Sequence, residues 1–418
     1  MRIRLMLGLS FLIILLTGLS CAPVRGDSSN FNNRFNSLVR PFTFNVESWE
    51  YQTLSAELRQ NIHNPVPEAQ LSSENVMLYF SLMAQIDTLS SNLQSVSGNN
   101  SSAKVIQERN DLNDVEARAA LLQDTVEHTL AVQISQVLAS QGIFNPFGDK
   151  IRVVFPPVNF KLEQPLYVFI VSHRDKIDRL EDVTLRQDTT LAQAEELESS
   201  VDKLNVSSLA IEIGGLGFTY PTFVIRNSDL HWTLNTAAHE WVHQYLAFRP
   251  LGFRYVLDLT GISPSPAIAT LNETVADIVG TEVGSEVYQK FYAGYDIAGN
   301  QGSTVSPAVP AFDFNQTMRE TRIRVDNLLA GGQVDQAEQY MENQRQVFVK
   351  NGYYLRKLNQ AYFSFYGSYS DSPTSVDPTG NQLKALRDQS LSLKDYLDTV
   401  SGFETPEDLK SALSRITH

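Results

Sequence analysis

The stretch NTAAHEWVHQYL, residues 235–246, carries two histidines four positions apart with a glutamate directly after the first. On an α-helix such positions lie one turn up and about 40° round, so the imidazoles of His239 and His243 can converge on one ion. Glu240 is rotated by about 100° from His239, which sets its carboxylate beside that ion rather than among its ligands. This is the spacing of two zinc ligands with a general base for an attacking water. The rest of the helix is apolar. Leu234, Ala238, Trp241, Tyr245 and Phe248 form a stripe that Ala237 and Val242 widen. Histidines on a helix so buried need partners, and one metal ion satisfies both.

Asn227, Ser228 and Asp229 offer an N-cap for this helix and Pro250 marks its end. A second long helix is expected from about residue 267 to 292. It holds LNETVADIVG, residues 271–280, in which Glu273 and Asp277 are again four apart. Ala269, Ala276, Gly280 and Gly284 lie on or near the same face and would let the two helices come close. A catalytic zinc site needs a third protein ligand, and Glu273 is the candidate. Asp277, one turn on, is placed to accept the outer N–H of a ligand histidine and so fix its tautomer.

HEWVH followed by NETVAD resembles the gluzincin metallopeptidases. The resemblance implies that His239, His243 and Glu273 bind one zinc ion per chain, that Glu240 activates water, and that Asp277 supports a ligand. It also implies an α+β, zincin-like catalytic unit with a small mixed sheet and active-site helices. The gap between the two motifs is some ten residues longer than is usual in that family. It is filled by LGFRYVLDLTGISPSP, residues 251–266, which reads as an extra loop near the cleft. A looser similarity to bacterial predicted aminopeptidases rests on HQY after the first motif, NE on the second helix, RETRIRVDNLL (319–329) and NGYYLRKLNQAYFSFYGSY (351–369). It tilts the reading toward an aminopeptidase. In gluzincins a second electrophile, a histidine or a tyrosine well downstream, stabilises the oxyanion. Beyond His243 this chain has only His418, its last residue. The helper is therefore sought among tyrosines and arginines of the C-terminal helices, Tyr354 first and Arg322 second.

Around this unit the chain divides by its periodicity. Residues 72–148 read as a helical hairpin, with VMLYFSLMAQIDTL and VEARAALLQDTVEHTLAVQISQVL at helical spacing and SVSGNNSSA, 95–103, as its turn. The catalytic unit is expected over 149–295. IRVVFPP (151–157), LYVFIVS (166–172), SSLAIEIGG (207–215) and GFTYPTFVIRN (217–227) read as strands, with a charged helix from about 190 to 204 between them. Pro221 lacks a ladder donor, which places the last of these at a sheet edge, where gluzincins receive an extended substrate. Residues 296–418 read as a helical region, ending in TPEDLKSAL with Thr405 as N-cap.

The first 20 residues have Arg2 and Arg4, then an apolar run from Leu5 to Leu16. That run is too short to span a bilayer and has the layout of a secretory signal. Cys21, the one cysteine of the chain, follows Ser20 as in a bacterial lipobox. Residues 21–71 would then be a tether and N-terminal extension, with SSNFNNRFNS (28–37) polar enough to serve as the tether. The net charge is −14 and no basic run occurs, which excludes a nucleic-acid partner. The sequence thus points to an exported zinc metallopeptidase of the bacterial cell envelope, lipid-anchored through Cys21, with a peptide or protein substrate. The alternative is a non-enzymatic envelope lipoprotein, a binding or scaffold module whose metal is only structural.

Overall fold

Phe31, Phe35, Leu38 and Val39 recur at helical spacing through a run of Asn and Ser, and that spacing decides the start of the fold. The computed structural model describes residues 29–63, 71–95, 103–148, 150–295, 312–369, 372–375 and 378–416. The expected signal segment, Cys21, most of the hairpin turn and residues 296–311 lie outside them. Helix α1 (Ser29–Val39) buries Phe35 and Val39 against a sheet, and α2 (Val46–His63) follows it. The segment expected to be a polar tether is thus a packed helix. Its apolar residues sit on one face, which polar composition alone conceals.

Helices α3 (Ser73–Ser95) and α4 (Ala103–Ser140) form the expected helical pair. The chain then runs through β1 (Phe160–Glu163), β2 (Leu166–His173), β3 (Glu181–Thr184), α5 (Leu191–Asp202), β4 (Val206–Ile213), β5 (Gly215–Leu216) and β6 (Thr222–Ile225). IRVVFPP is not a strand. Pro156 and Pro157 remove two successive ladder donors, and pairing begins only at Phe160.

The strands make two small sheets. In the first, β6 lies between β1, parallel to it, and β5, antiparallel. The strand expected at an edge is therefore central. Pro221 stands just before its first paired residue, Thr222, where no ladder donor is required, and the outer strand is β5. The second sheet, in the order β3-β2-β4, is antiparallel. Alternate residues of β2 serve opposite faces: Phe169 and Val171 pack with α1 and α5, while Ile170 joins Leu209 and Ile211 under a C-terminal helix. Thr190 caps α5 in a reciprocal pair with Gln193.

Next come α6 (Leu230–Leu246), α7 (Pro250–Leu259) and α8 (Pro266–Phe291), then α9 (Phe314–Ala330), α10 (Val334–Lys350), α11 (Gln360–Tyr366), α12 (Thr379–Gln389), α13 (Leu393–Val400) and α14 (Pro406–Ile416). The fold is mixed α+β and mainly helical. One apolar cluster runs from α3 and α4 through α6 and α8 to α12, α13 and α14, so the helix bearing the opening motif stands in the middle of the largest core. Among the described residues no helix is long and apolar enough to cross a membrane.

Candidate metal centre

Asp229 caps α6 by accepting from the Trp232 amide at 3.0 Å, and the apolar stripe is buried as its spacing predicts: Leu234, Ala238, Trp241 and Tyr245 are all in the core. Two polar residues on the buried side donate to neighbouring segments. Trp241 Nε1 donates to the Pro156 carbonyl, and Gln244 Nε2 donates to the Thr219 carbonyl and the Thr222 hydroxyl, each at 2.7 Å. Those bonds lock α6 to the segment that enters β6.

Helix α8 crosses close by because it has glycine where it meets α6. A Cβ at Gly280 would lie 2.7 Å from the His239 backbone nitrogen, and one at Gly284 would collide with Asn235. The close crossing brings Glu273 to both histidines. Its carboxylate oxygens lie 3.6 Å from His239 Nε2 and 3.6 Å from His243 Nε2, and the two Nε2 atoms are 3.0 Å apart. Three groups each about 2.0–2.1 Å from one tetrahedral ion would be about 3.3–3.4 Å from one another, a value that these separations bracket. His239, Glu240 and His243 also offer three ligand atoms within 4.8 Å of one another, so this cluster could hold a metal ion.

Each inward-facing group is held from behind. His239 Nδ1 lies 2.8 Å from Asp277 Oδ1, as expected, and His243 Nδ1 lies 2.7 Å from Asn272 Oδ1. Neither oxygen donates, so each Nδ1 carries a proton and each Nε2 is turned inward toward Glu273, where a proton or a metal ion could be held. The Tyr255 hydroxyl donates to Glu273 Oε1, and its ring stands 5.7 Å from that of His243, with Phe218 on the same imidazole at 5.8 Å. Asn272 and Tyr255 were not singled out from the sequence. Asn272 could have been, as the residue before Glu273. Tyr255 comes from α7, the helix formed by the segment read as an extra loop; its Leu251, Tyr255 and Val256 are buried at helical spacing behind Pro250 at N1.

The electrostatics follow from three carboxylates around two imidazoles. Burial alone would lower the proton affinity of His239. Hydrogen bonds to Asp277 and Glu273, with the charges of Glu240 and Asp277, reverse this and hold its pKa well above the ordinary value. Burial would raise the Glu273 pKa, but His243 and the bonds to both histidines hold it well below the carboxylate range. Glu240 goes the other way. Burial raises its pKa, opposed by the two histidines and reinforced by Glu273 and Asp277. The centre is a buried negative field around two imidazoles, which favours a cation there, whether a proton on His239 or a metal ion.

Glu240 does not face the same way as Glu273. Its carboxylate lies under β5 and the residues after it: a Cβ at Gly215 would stand 2.5 Å from Glu240 Oε1, and one at Gly217 2.6 Å from Oε2. Glycines at 215 and 217 let the outer strand of the first sheet press directly on this carboxylate.

The two residues sought as oxyanion helper are elsewhere. Tyr354 is 85% exposed. Arg322 donates to Asp326 and to the carbonyls of Phe363 and Thr374, where it ties α9 to the chain around α11. The groups that do share the field of the site are Tyr369 and Arg179. Burial, with the charges of Glu273, Glu240 and Asp277, raises the Tyr369 pKa well above its ordinary value, with Arg179 opposing. Burial would lower the Arg179 pKa, but Asp182, Tyr255, Tyr369 and Glu273 raise it. Both pack on Phe365, the Tyr369 ring at 5.5 Å and the guanidinium at 5.8 Å. Tyr369 is the last residue of NGYYLRKLNQAYFSFYGSY, the stretch that also holds Tyr354. Arg179 lies between β2 and β3, in a segment that carries no motif.

No protein-family model, no curated protein and no solved structure matches this chain.

Proposed function

We propose that the chain is an exported zinc metallopeptidase hydrolysing peptide bonds. The observation that carries this reading is the convergence of His239 Nε2, His243 Nε2 and the Glu273 carboxylate, each tethered from behind by a different residue, with Glu240 left facing the half-buried outer strand β5. His239, His243 and Glu273 would hold the zinc ion, which supplies Lewis acidity toward the scissile carbonyl and the attacking water. Glu240 takes the proton from that water and returns it to the leaving amine. Its raised proton affinity suits a group that is base in one step and acid in the next. Tyr369, with Arg179 beside it, donates to the oxygen on which negative charge develops, the role first sought in Tyr354 and Arg322. An extended peptide adds to the free edge of β5, whose Gly215 lies directly against Glu240 and so brings that edge close to the carboxylate. The aminopeptidase tilt rests on the sequence resemblance alone.

The test is metal content together with cleavage. Purified protein is expected to carry about one zinc per chain and to cut members of a mixed peptide library read by mass spectrometry. Glu240→Gln should retain the metal and lose cleavage. Protein without bound zinc, or a fully active Glu240→Gln variant, removes the proposal. Export and acylation at Cys21 are tested separately, by the intact mass of the membrane-fraction protein: a mature form lacking Cys21 excludes the anchor.

A further inference from the structure

We infer that the loop between α4 and β1 is a docking surface for an anionic phospholipid bilayer, independent of the catalytic reading. Residues 144–155 are closed at their base by Phe155 N donating to the Phe144 carbonyl at 2.7 Å. The loop is braced within by Asn145, which accepts from the Phe147 amide and donates to the Ile151 carbonyl. Beyond that base it exposes large apolar side chains: Phe147 at 67%, Ile151 at 63% and Val153 at 58%. Lys150 and Arg152 are exposed between them. The segment is made of turns and bends, and four consecutive residues of it, 150 to 153, are exposed, so it projects from the protein.

The base of the projection is packed. The Phe147 ring lies tilted against Phe155 at 5.6 Å and edge-on to Phe248 at 5.4 Å, yet most of its surface stays in solvent. Arg249 joins the base: it donates to the Pro146 carbonyl and the Ser401 hydroxyl, neither of which neutralises its charge. One turn on, Phe253 is 54% exposed, its amide donating to the Arg249 carbonyl. Arg152 lies over the Phe144 ring at 6.0 Å.

The charge selects the occupant. The chain carries −14 overall, so an anionic bilayer repels it on average, while this loop presents Lys150 and Arg152 at its tip and the half-buried Arg249 at its base. Against them the sequence sets Asp149, whose placement is outside the described residues. Apolar side chains alternating with cations on a projecting tip suit an interface into which rings and branched chains sink while ammonium and guanidinium groups stay at the phosphates. With no spanning helix among the described residues, such contact is peripheral.

The experiment places a reporter on the tip of the full-length chain, so that attachment through any other segment gives a different result. Phe147→Trp adds an indole at an already exposed position. Its emission is read, against the wild-type background of Trp49, Trp232 and Trp241, with vesicles of equal parts phosphatidylglycerol and phosphatidylcholine. Docking predicts a blue shift, quenching by brominated phosphatidylcholine and protection from iodide. Adding Lys150→Glu and Arg152→Glu should weaken the vesicle-dependent signal by about tenfold or more. If the chain floats with vesicles while the indole stays open to iodide, contact lies elsewhere and the inference is lost; the absence of any vesicle association has the same result. Protection without vesicles, with a doubled mass in solution, would instead make the loop an interface between two copies. Equal insertion into pure phosphatidylcholine would remove the role given to the cations.

Discussion

Two regions of this molecule are equally rich in buried charge, and they spend it differently. In the centre between α6 and α8, His239, His243 and Glu273 are each held from behind and point their remaining polar atoms at one another. Around Glu198, 356–359 dock against α5 and β4 with every charge answered. Arg356 makes a bidentate pair with Glu198 at 3.0 and 2.6 Å and donates to the Ala210 carbonyl, while Glu198 also accepts from the Ala210 amide. Lys357 reaches Asp202 and the Ser208 carbonyl, and Asn359 the same carbonyl. The second cluster closes on itself and holds elements together. The first turns its polar atoms toward one shared point. Chemical richness in a sequence marks both kinds of place, and only the direction of the polar atoms separates them.

The comparison breaks most visibly at Glu240. Glu240→Gln is expected to lower kcat by about 10²–10⁴-fold with zinc content, measured by elemental analysis, unchanged. A change of that size is foreign to the Glu198 cluster, where substitutions should act on stability. Arg356→Ala leaves Glu198 buried without its bidentate partner, and denaturant melts should report a loss of about 3 kcal/mol with zinc stoichiometry intact; metal loss would instead mean that the two regions are coupled.

The next two predictions sharpen the boundary of the site. Tyr369→Phe should reduce kcat by about 10²-fold at unchanged thermal stability, whereas Tyr354→Phe, on an exposed ring, should leave kcat as it was. If those results were exchanged, the helper would have to be reassigned. The smallest effect is expected behind the metal. Tyr255→Phe removes the hydrogen bond to Glu273 and keeps the ring beside His243, so competition with a chelator should show zinc binding weakened by about tenfold. Affinity equal to that of the wild type would reduce Tyr255 to a packing residue.

Much of the centre was legible because its signals are local. His239, Glu240 and His243 share one helix, as do Glu273 and Asp277, and helical geometry fixes which of them face together. The strands were read less well. IRVVFPP has the composition of a strand but two prolines at its end, and Pro221 suggested an edge although it precedes the first paired residue. Strand order depends on partners remote in sequence, here Phe160 with Thr222, which no local pattern states. Helix α1 was concealed by asparagine and serine for the complementary reason: four apolar residues at the right spacing outweigh polar composition once a sheet is there to receive them.

By itself, the sequence determined the histidine face of α6, the carboxylates of α8 that complement it, and the small residues that let the helices approach, because each follows from the period of one helix. Tertiary structure decided what stands around that face. It brought Tyr255 from α7 and Tyr369 and Arg179 from distant segments to the field of Glu273, laid Gly215 of β5 and Gly217 after it over Glu240, and sent Tyr354 to the surface. These are contacts between elements whose separation along the chain carries no information about their separation in space. They are fixed only when the apolar faces of all the elements are buried together.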